Sequence, residues 1–208
     1  ATDDRVASTD PRTARLMPIE CTAWLINDAT GCFLTAGHCF PIGANPVCQF
    51  NVPLSTAAGV PQNPLPRDQY PVDPASIQFN DDGVGAVGND WGYFGCFRNT
   101  FGETARERQG ATYTLAATPP AVAVPAQTIR ITGYGTENPL NQFSQTQQTH
   151  TGPYVQLTAN TVRYQVDTMG GNSGSAVSLD GTNQAIGIHT NGGCRAAAPI
   201  GSHLGTRL

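Results

Sequence analysis

The sequence contains no lysine. Its 11 basic residues are all arginine, and 15 acidic residues bring the formal net charge to −4. The arginines are scattered, so no basic stripe is available to nucleic acid or to an anionic membrane, and neither is expected as a partner. Long apolar runs are also missing. None approaches the roughly 18–20 residues that a membrane-spanning helix needs. Charged residues make up only 12% of the 208, unlike disordered chains, which are rich in charge and poor in aromatics. Helical periodicity is scarce, and no C-x-x-C pair suggests a zinc ribbon or a thioredoxin-like motif. There are only four histidines, and they show no ligand spacing with the cysteines, so no metal and no other cofactor is expected. No signal segment is visible, and the opening "ATDDRVAS" reads as a mature terminus.

What is abundant is punctuation. With 23 glycines and 16 prolines, the chain reads as short elements joined by turns. Its apolar stretches are brief: "CTAWLI" at 21–26, "CFLTA" at 32–36, "VCQFNV" at 47–52, "WGYFGCF" at 91–97, "TIRITGYG" at 128–135, "TVRYQV" at 161–166, "SAVSL" at 175–179 and "AIGIHT" at 185–190. Several alternate polar and apolar residues, the period of a half-buried strand. Turn signals such as "NDATG" at 27–31 and "LDGTN" at 179–183 lie between them. Many closely spaced strands predict an all-β barrel or sandwich, as one domain or two small halves sharing an interface. Residues 53–75 hold six of the 16 prolines and read as an irregular surface loop. The polar stretch "GETARERQG" at 102–110 reads as a connection between halves. Six cysteines (Cys21, Cys32, Cys39, Cys48, Cys96 and Cys194) fit up to three disulfides in an oxidising compartment, or else a set of buried thiols.

Three stretches carry chemistry. In "GGNSGS" at 170–175, glycines flank Ser173 and allow a tight turn that exposes its hydroxyl. They also let successive backbone N–H groups converge on one spot, as an oxyanion hole requires. In "LTAGHC" at 34–39, His38 follows a strand and can serve as a base. In "NDWGYF" at 89–94, Asp90 opens an aromatic strand. Burial of a carboxylate there is costly unless it accepts hydrogen bonds, and an imidazole supplies them. Each stretch alone has a bland alternative: a glycine-serine turn, a structural histidine, a turn aspartate.

The order His38, Asp90, Ser173 matches the chymotrypsin arrangement. The sequence resembles the chymotrypsin-like serine proteases over about residues 19–208: "LTAGHC" is similar to their histidine motif, "NDWGYF" to their aspartate motif and "GGNSGS" to their nucleophile loop. The resemblance implies two antiparallel six-stranded β-barrels with the active site in the cleft between them. Residues 1–105 would form the half carrying His38 and Asp90, and 106–208 the half carrying Ser173 and the specificity pocket. It also implies roles. Ser173 would attack the scissile carbonyl, His38 would take and return the proton, Asp90 would orient the imidazole, and the N–H groups of Gly171 and Ser173 would hold the oxyanion. A Cys21–Cys39 disulfide beside the histidine is implied in the same way. The rival order Ser173, Asp180, His189 fits the α/β-hydrolases poorly, because their elbow requires G-x-S-x-G and Ser175 stands at its last position.

Substrate preference is read in two ways. Asp167, six residues before Ser173, stands where trypsin-like relatives select Arg or Lys. The combination "DTMGGNSGS" with "GIHTNGG" at 187–193 is similar to the bacterial glutamyl endopeptidase branch, which implies that Thr168 and His189 bind a substrate carboxylate. A hydroxyl and an imidazole can both donate to a carboxylate. Cleavage after Glu is the first expectation and after Arg or Lys the second. A protonated His189 would make acidity strengthen substrate binding. Thr190, Asn191 and Gly192 would pair with the substrate backbone as an added strand, and Gly192 and Gly193 would form the pocket edge. The presence of only four glutamates fits a protease sparing itself.

There are also departures from the family. Asn172 stands where zymogen-activated trypsins have an aspartate that pairs with a new N-terminal amine, so that ion pair cannot form. The Ala1 amine is instead expected near the pocket. The chain closes on "GTRL", where relatives continue into a C-terminal helix. The expectation is a secreted, monomeric endopeptidase acting on proteins or peptides. A catalytically inactive binding protein on the same fold is the alternative from another class.

Overall fold

The computed structural model describes residues 3–40, 45–81, 87–123, 126–193 and 202–208. It is all-β apart from short helical turns and one short helix. The first strand, β1 (Val6–Ala7), joins the second of two sheets. The first sheet is built from β2 (Thr13–Met17), β3 (Cys21–Leu25), β4 (Phe33–Thr35), β5 (Val47–Gln49), β6 (Gln69–Pro71), β7 (Gln78–Asn80) and β8 (Trp91–Phe94). Its order is β6-β5-β2-β3-β4-β8-β7. This sheet curls into a half-barrel, and one antiparallel bridge between Val72 and Cys96 links the chain just past β6 to the chain just past β8.

A helix, α1 (Ala105–Gln109), follows. Thr104 and Glu107 cap its start reciprocally, and Gly110 ends it in a left-handed conformation. The stretch expected to be a bare polar connection therefore carries a T-x-x-E start and a glycine stop. The second sheet contains β9 (Thr114–Leu115), β10 (Thr128–Gly133), β11 (Gln148–Leu157), β12 (Thr161–Tyr164), β13 (Ala176–Leu179), β14 (Gln184–Asn191) and β15 (His203–Arg207). Strands β11-β10-β13-β14-β15-β12 run in order, and β12 pairs back to β11, closing a six-stranded barrel. β1 adds to the outer end of β11, with Val6 opposite Thr149 and Ala7 opposite Gln148. The stretch 53–75 is largely irregular, as expected, but it also contributes β6.

Each half has its own apolar core. In the first, Phe33 stacks on Phe94 at 5.2 Å between ring centroids, and Phe40 meets Phe94 edge-on at 5.3 Å. Truncating such a buried ring to alanine costs about 3–5 kcal/mol. Ala176, Ala185 and Ile188 of the second half pack into this first core, so it continues across the boundary between halves. The second core gathers Ile129, Ile131, Tyr154, Val162, Tyr164, Val166, Val177 and Ile186 inside the closed barrel. Thr22, Trp24, Asp90 and Arg15 reach across the boundary with hydrogen bonds, and the candidate site lies on this seam.

Candidate active site

His38 sits in a single helical turn, Gly37–Cys39, directly after β4. Asp90 immediately precedes β8, which pairs with β4. The ladder therefore sets the separation between base and carboxylate. Asp90 Oδ2 lies 2.6 Å from His38 Nδ1, and Oδ1 accepts the His38 backbone N–H at 3.1 Å. A carboxylate accepts, so Nδ1 carries the proton and Nε2 is left with the lone pair. The Asp90 side chain is only 7% exposed, against 36% for His38. Asp90 is also locked to the second half: its N–H donates to Thr206 Oγ1, which donates back to the Asp90 carbonyl. The hydrogen bond to Asp90 raises the His38 pKa above that of an ordinary histidine, and burial only partly opposes it.

β3 carries the serine loop. The Thr22 N–H donates to the Ser173 carbonyl at 2.9 Å, the Thr22 hydroxyl to the Gly171 carbonyl at 2.9 Å, and Trp24 Nε1 to the Gly174 carbonyl at 2.9 Å. The same strand begins at Cys21, which is bridged to Cys39 next to His38. Cys39 Sγ lies 3.9 Å from the Ser173 carbonyl oxygen. One strand thus fixes both the histidine turn and the serine turn.

Peptide geometry then aims two N–H groups. In a trans peptide the carbonyl and the following N–H point in opposite directions. The Gly170 carbonyl is held by the Thr136 N–H at 2.7 Å, so the Gly171 N–H faces away from Thr136. The Asn172 carbonyl is held by the Ser175 N–H at 3.0 Å, so the Ser173 N–H faces away from Ser175. Neither N–H finds an acceptor among the described residues. Gly171 has φ of +99°, and a β-carbon there would overlap the Tyr134 carbonyl and the Gln145 side chain, so no other residue fits this turn.

The pocket residues gather on β14 and its neighbours. His189 is 4% exposed, and its Nδ1 lies 2.6 Å from the Tyr164 hydroxyl. That hydroxyl has no other acceptor among the described residues, so it donates to Nδ1 and leaves the hydrogen on Nε2. Burial drives the His189 pKa down to about 3. This shift runs against the expectation of a protonated His189, because burial favours the neutral imidazole. Thr168 Oγ1 lies 3.2 Å from Nδ1 of His203, which also accepts the Gly193 N–H at 3.3 Å. The rings of His189 and His203 are 5.6 Å apart, and burial lowers the pKa of His203 as well. Asp167 is engaged by the N-terminal segment. Its Oδ2 accepts the Asp4 N–H at 3.0 Å and lies 3.8 Å from His150 Nδ1. At the end of β14 Thr190 is buried, whereas Asn191 and Gly192 are exposed and a β-carbon on Gly192 would meet open space.

Residues 21–188 match the trypsin-like peptidase domain. The chain belongs to that family. The peptidase is a serine endopeptidase, with proteins or peptides as substrates. A solved Glu endopeptidase in complex with MPD is 20% identical, with 100% of this chain and 92% of that one covered at a TM-score of 0.70. Protease Anisep from Arthrobacter nicotinovorans is 12% identical, with 98% and 92% covered at 0.70. Human heparin binding protein is 15% identical, with 99% and 91% covered at 0.68. At these identities the likeness is one of fold. No curated protein sequence matches the chain.

Sequence reasoning missed two residues that contact His189 and Thr168, namely Tyr164 and His203. Neither lies in a local motif; strand pairing across the barrel delivers both. Of up to three expected disulfides, Cys21–Cys39 is formed, while Cys32, Cys48 and Cys96 are thiols and Cys194 lies outside the described residues. Ala1, expected near the pocket, also lies outside them. The cluster of Cys21, His38 and Cys39 has both sulfurs in the disulfide, so it presents no thiolate to a metal.

Proposed function

We propose that the peptidase is secreted and cleaves after glutamate, through Ser173, His38 and Asp90. His38 Nε2 takes the hydroxyl proton as Ser173 Oγ attacks the scissile carbonyl carbon. The resulting oxyanion is held by the N–H groups of Gly171 and Ser173, worth a few kcal/mol each. Collapse of this intermediate breaks the C–N bond. His38 passes its proton to the leaving amine, and an acyl-enzyme remains. Water, deprotonated by the same histidine, then releases the new carboxylate. Asp90 keeps the imidazole in the tautomer that this sequence needs and stabilises its cation.

The observation that carries the glutamate preference is the character of the pocket wall. It offers a neutral donor, the His189 Nε2–H, with the Thr168 hydroxyl and His203 bonded to each other beside it, while the Asp167 carboxylate is held by the N-terminal segment. Neutral donors hold a carboxylate and offer nothing to a guanidinium. The disulfide supports an oxidising compartment. Digestion of an unstructured protein, with Ser173→Ala as control and mass spectrometry as readout, tests the reading. Serine-dependent cuts after Glu are expected. Cuts after Arg or Lys would transfer the pocket to Asp167, and the absence of any serine-dependent cut would remove the catalytic assignment.

A further inference from the structure

We propose that Arg5 is a positioning residue for the oxyanion loop. Its guanidinium, seated between Asp3 and Glu137, fixes the segment that holds the peptide carrying the Gly171 N–H. The proposal rests on the catalytic reading above and adds how that site is kept in shape.

The Arg5 side chain is only 2% exposed. Its Nη2 lies 2.6 Å from Asp3 Oδ2 and 2.9 Å from Glu137 Oε1, and its Nε donates to Asp3 Oδ1 at 2.9 Å. The Glu137 side chain is itself only 13% exposed, and removing the cation would strand that carboxylate in a poorly solvated place. The Glu137 N–H donates to Ser144 Oγ at 2.9 Å. One residue earlier, the Thr136 N–H donates to the Gly170 carbonyl at 2.7 Å, the bond that turns the Gly171 N–H toward the site. Arg5 therefore acts on the oxyanion peptide through Glu137 and Thr136, two covalent neighbours.

A second contact points the same way. A β-carbon on Gly135 would overlap both Arg5 Nη1 and Asn172 Nδ2. The guanidinium thus lies against Gly135, just past the end of β10, where the side-chain amide of Asn172, the residue before Ser173, also lies. Asn172 carries no charge to anchor the loop. The ionic contacts beside it are those of Arg5 with Asp3 and Glu137. The backbone around Arg5 is held on both sides, by the Asp4 N–H on Asp167 and by β1 on β11.

The test compares Arg5→Gln, Glu137→Gln, their double variant and Arg5→Lys with wild type. Three readouts are taken: hydrogen exchange of amides 169–175, steady-state cleavage, and the rate of Ser173 labelling by a fluorophosphonate. Faster exchange in the loop is expected, with kcat down about tenfold or more, KM within about threefold, and labelling slowed in parallel. The double variant should be no worse than the worse single variant, because both act on one linkage, and Arg5→Lys should recover part of the loss. Unchanged exchange across 169–175 in folded Arg5→Gln overturns the proposal, whatever the activity does. Should Arg5→Gln fail to fold, Glu137→Gln carries the same test. Wild type without Ser173-dependent cleavage would sink the catalytic reading, and the exchange comparison would still decide the role of Arg5.

Discussion

Replacing Tyr164 with phenylalanine removes one oxygen from a fully buried ring, and with it the 2.6 Å hydrogen bond to His189 Nδ1. The stability cost follows from what is left behind. A buried acceptor without a partner costs about 1–3 kcal/mol, which in a domain of this size lowers Tm by roughly 2–4 °C per kcal/mol. The functional cost has a different origin. In the proposed pocket, the tyrosine sets which imidazole nitrogen carries the hydrogen and which way the ring faces, and so would aim Nε2–H at a substrate carboxylate. A charge-assisted hydrogen bond is worth about 1.5–3 kcal/mol, or roughly 10–150-fold in affinity. Partial loss of aim should cut the preference for Glu over Gln by about tenfold. The assay is kcat/KM on a pair of peptides differing only in Glu or Gln before the scissile bond, with a thermal melt of the same samples. A variant that melts lower yet keeps the Glu to Gln ratio within about twofold of wild type would refute the role given to His189.

Two further outcomes are expected. The acid limb of kcat/KM should lie above the pH at which an ordinary histidine titrates, because Asp90 raises the His38 pKa and the base works only when neutral; Asp90→Asn should move that limb down and lower kcat by several orders of magnitude. An unshifted limb in Asp90→Asn would contradict the assignment. Stability should also fall as pH drops from about 6.5 toward about 3. In that window the unfolded chain protonates His189 while the fold keeps it neutral, so the unfolded state binds the extra proton. His38 has the opposite shift, and its contribution is present below its ordinary pKa and fades as pH rises through the raised one. Melting of His189→Gln against wild type at pH 7, 5 and 4 isolates the first effect, and equal slopes would count against it.

The barrel strands were legible in the sequence wherever apolar residues alternate, as in Thr128–Gly133 and Thr161–Tyr164. The strand β2 was not. β2 is buried on both faces, and Arg15 within it is fully buried, bonded to Gln49 and the Gln145 carbonyl. Burial lowers the Arg15 pKa to about 10. An arginine in that setting reads as a surface residue until the partner strands are known. His38, Asp90 and Ser173 stood out because each lies in a short contiguous motif. Tyr164, His203 and Arg5 did not, because their partners are distant in sequence: Tyr164 is 25 residues from His189, and Arg5 is 132 from Glu137. The sequence does carry a local sign of α1 in Thr104 and Glu107, three residues apart before an alanine–arginine run and Gly110.

The pairing of β1 with β11 has a consequence for how the chain comes into being. Val6 and Ala7 leave the ribosome well before their partners Thr149 and Gln148, which follow more than 140 residues later. Contacts between such distant segments close late in folding, since the loop entropy must be overcome before they form. During synthesis the N-terminal segment therefore waits, unpaired, while the first sheet assembles behind it. It docks only when the second barrel already exists. The serine loop is completed by a segment made long before it, and a polypeptide still emerging from the ribosome carries both β-sheets in the making well before it carries a finished cleft.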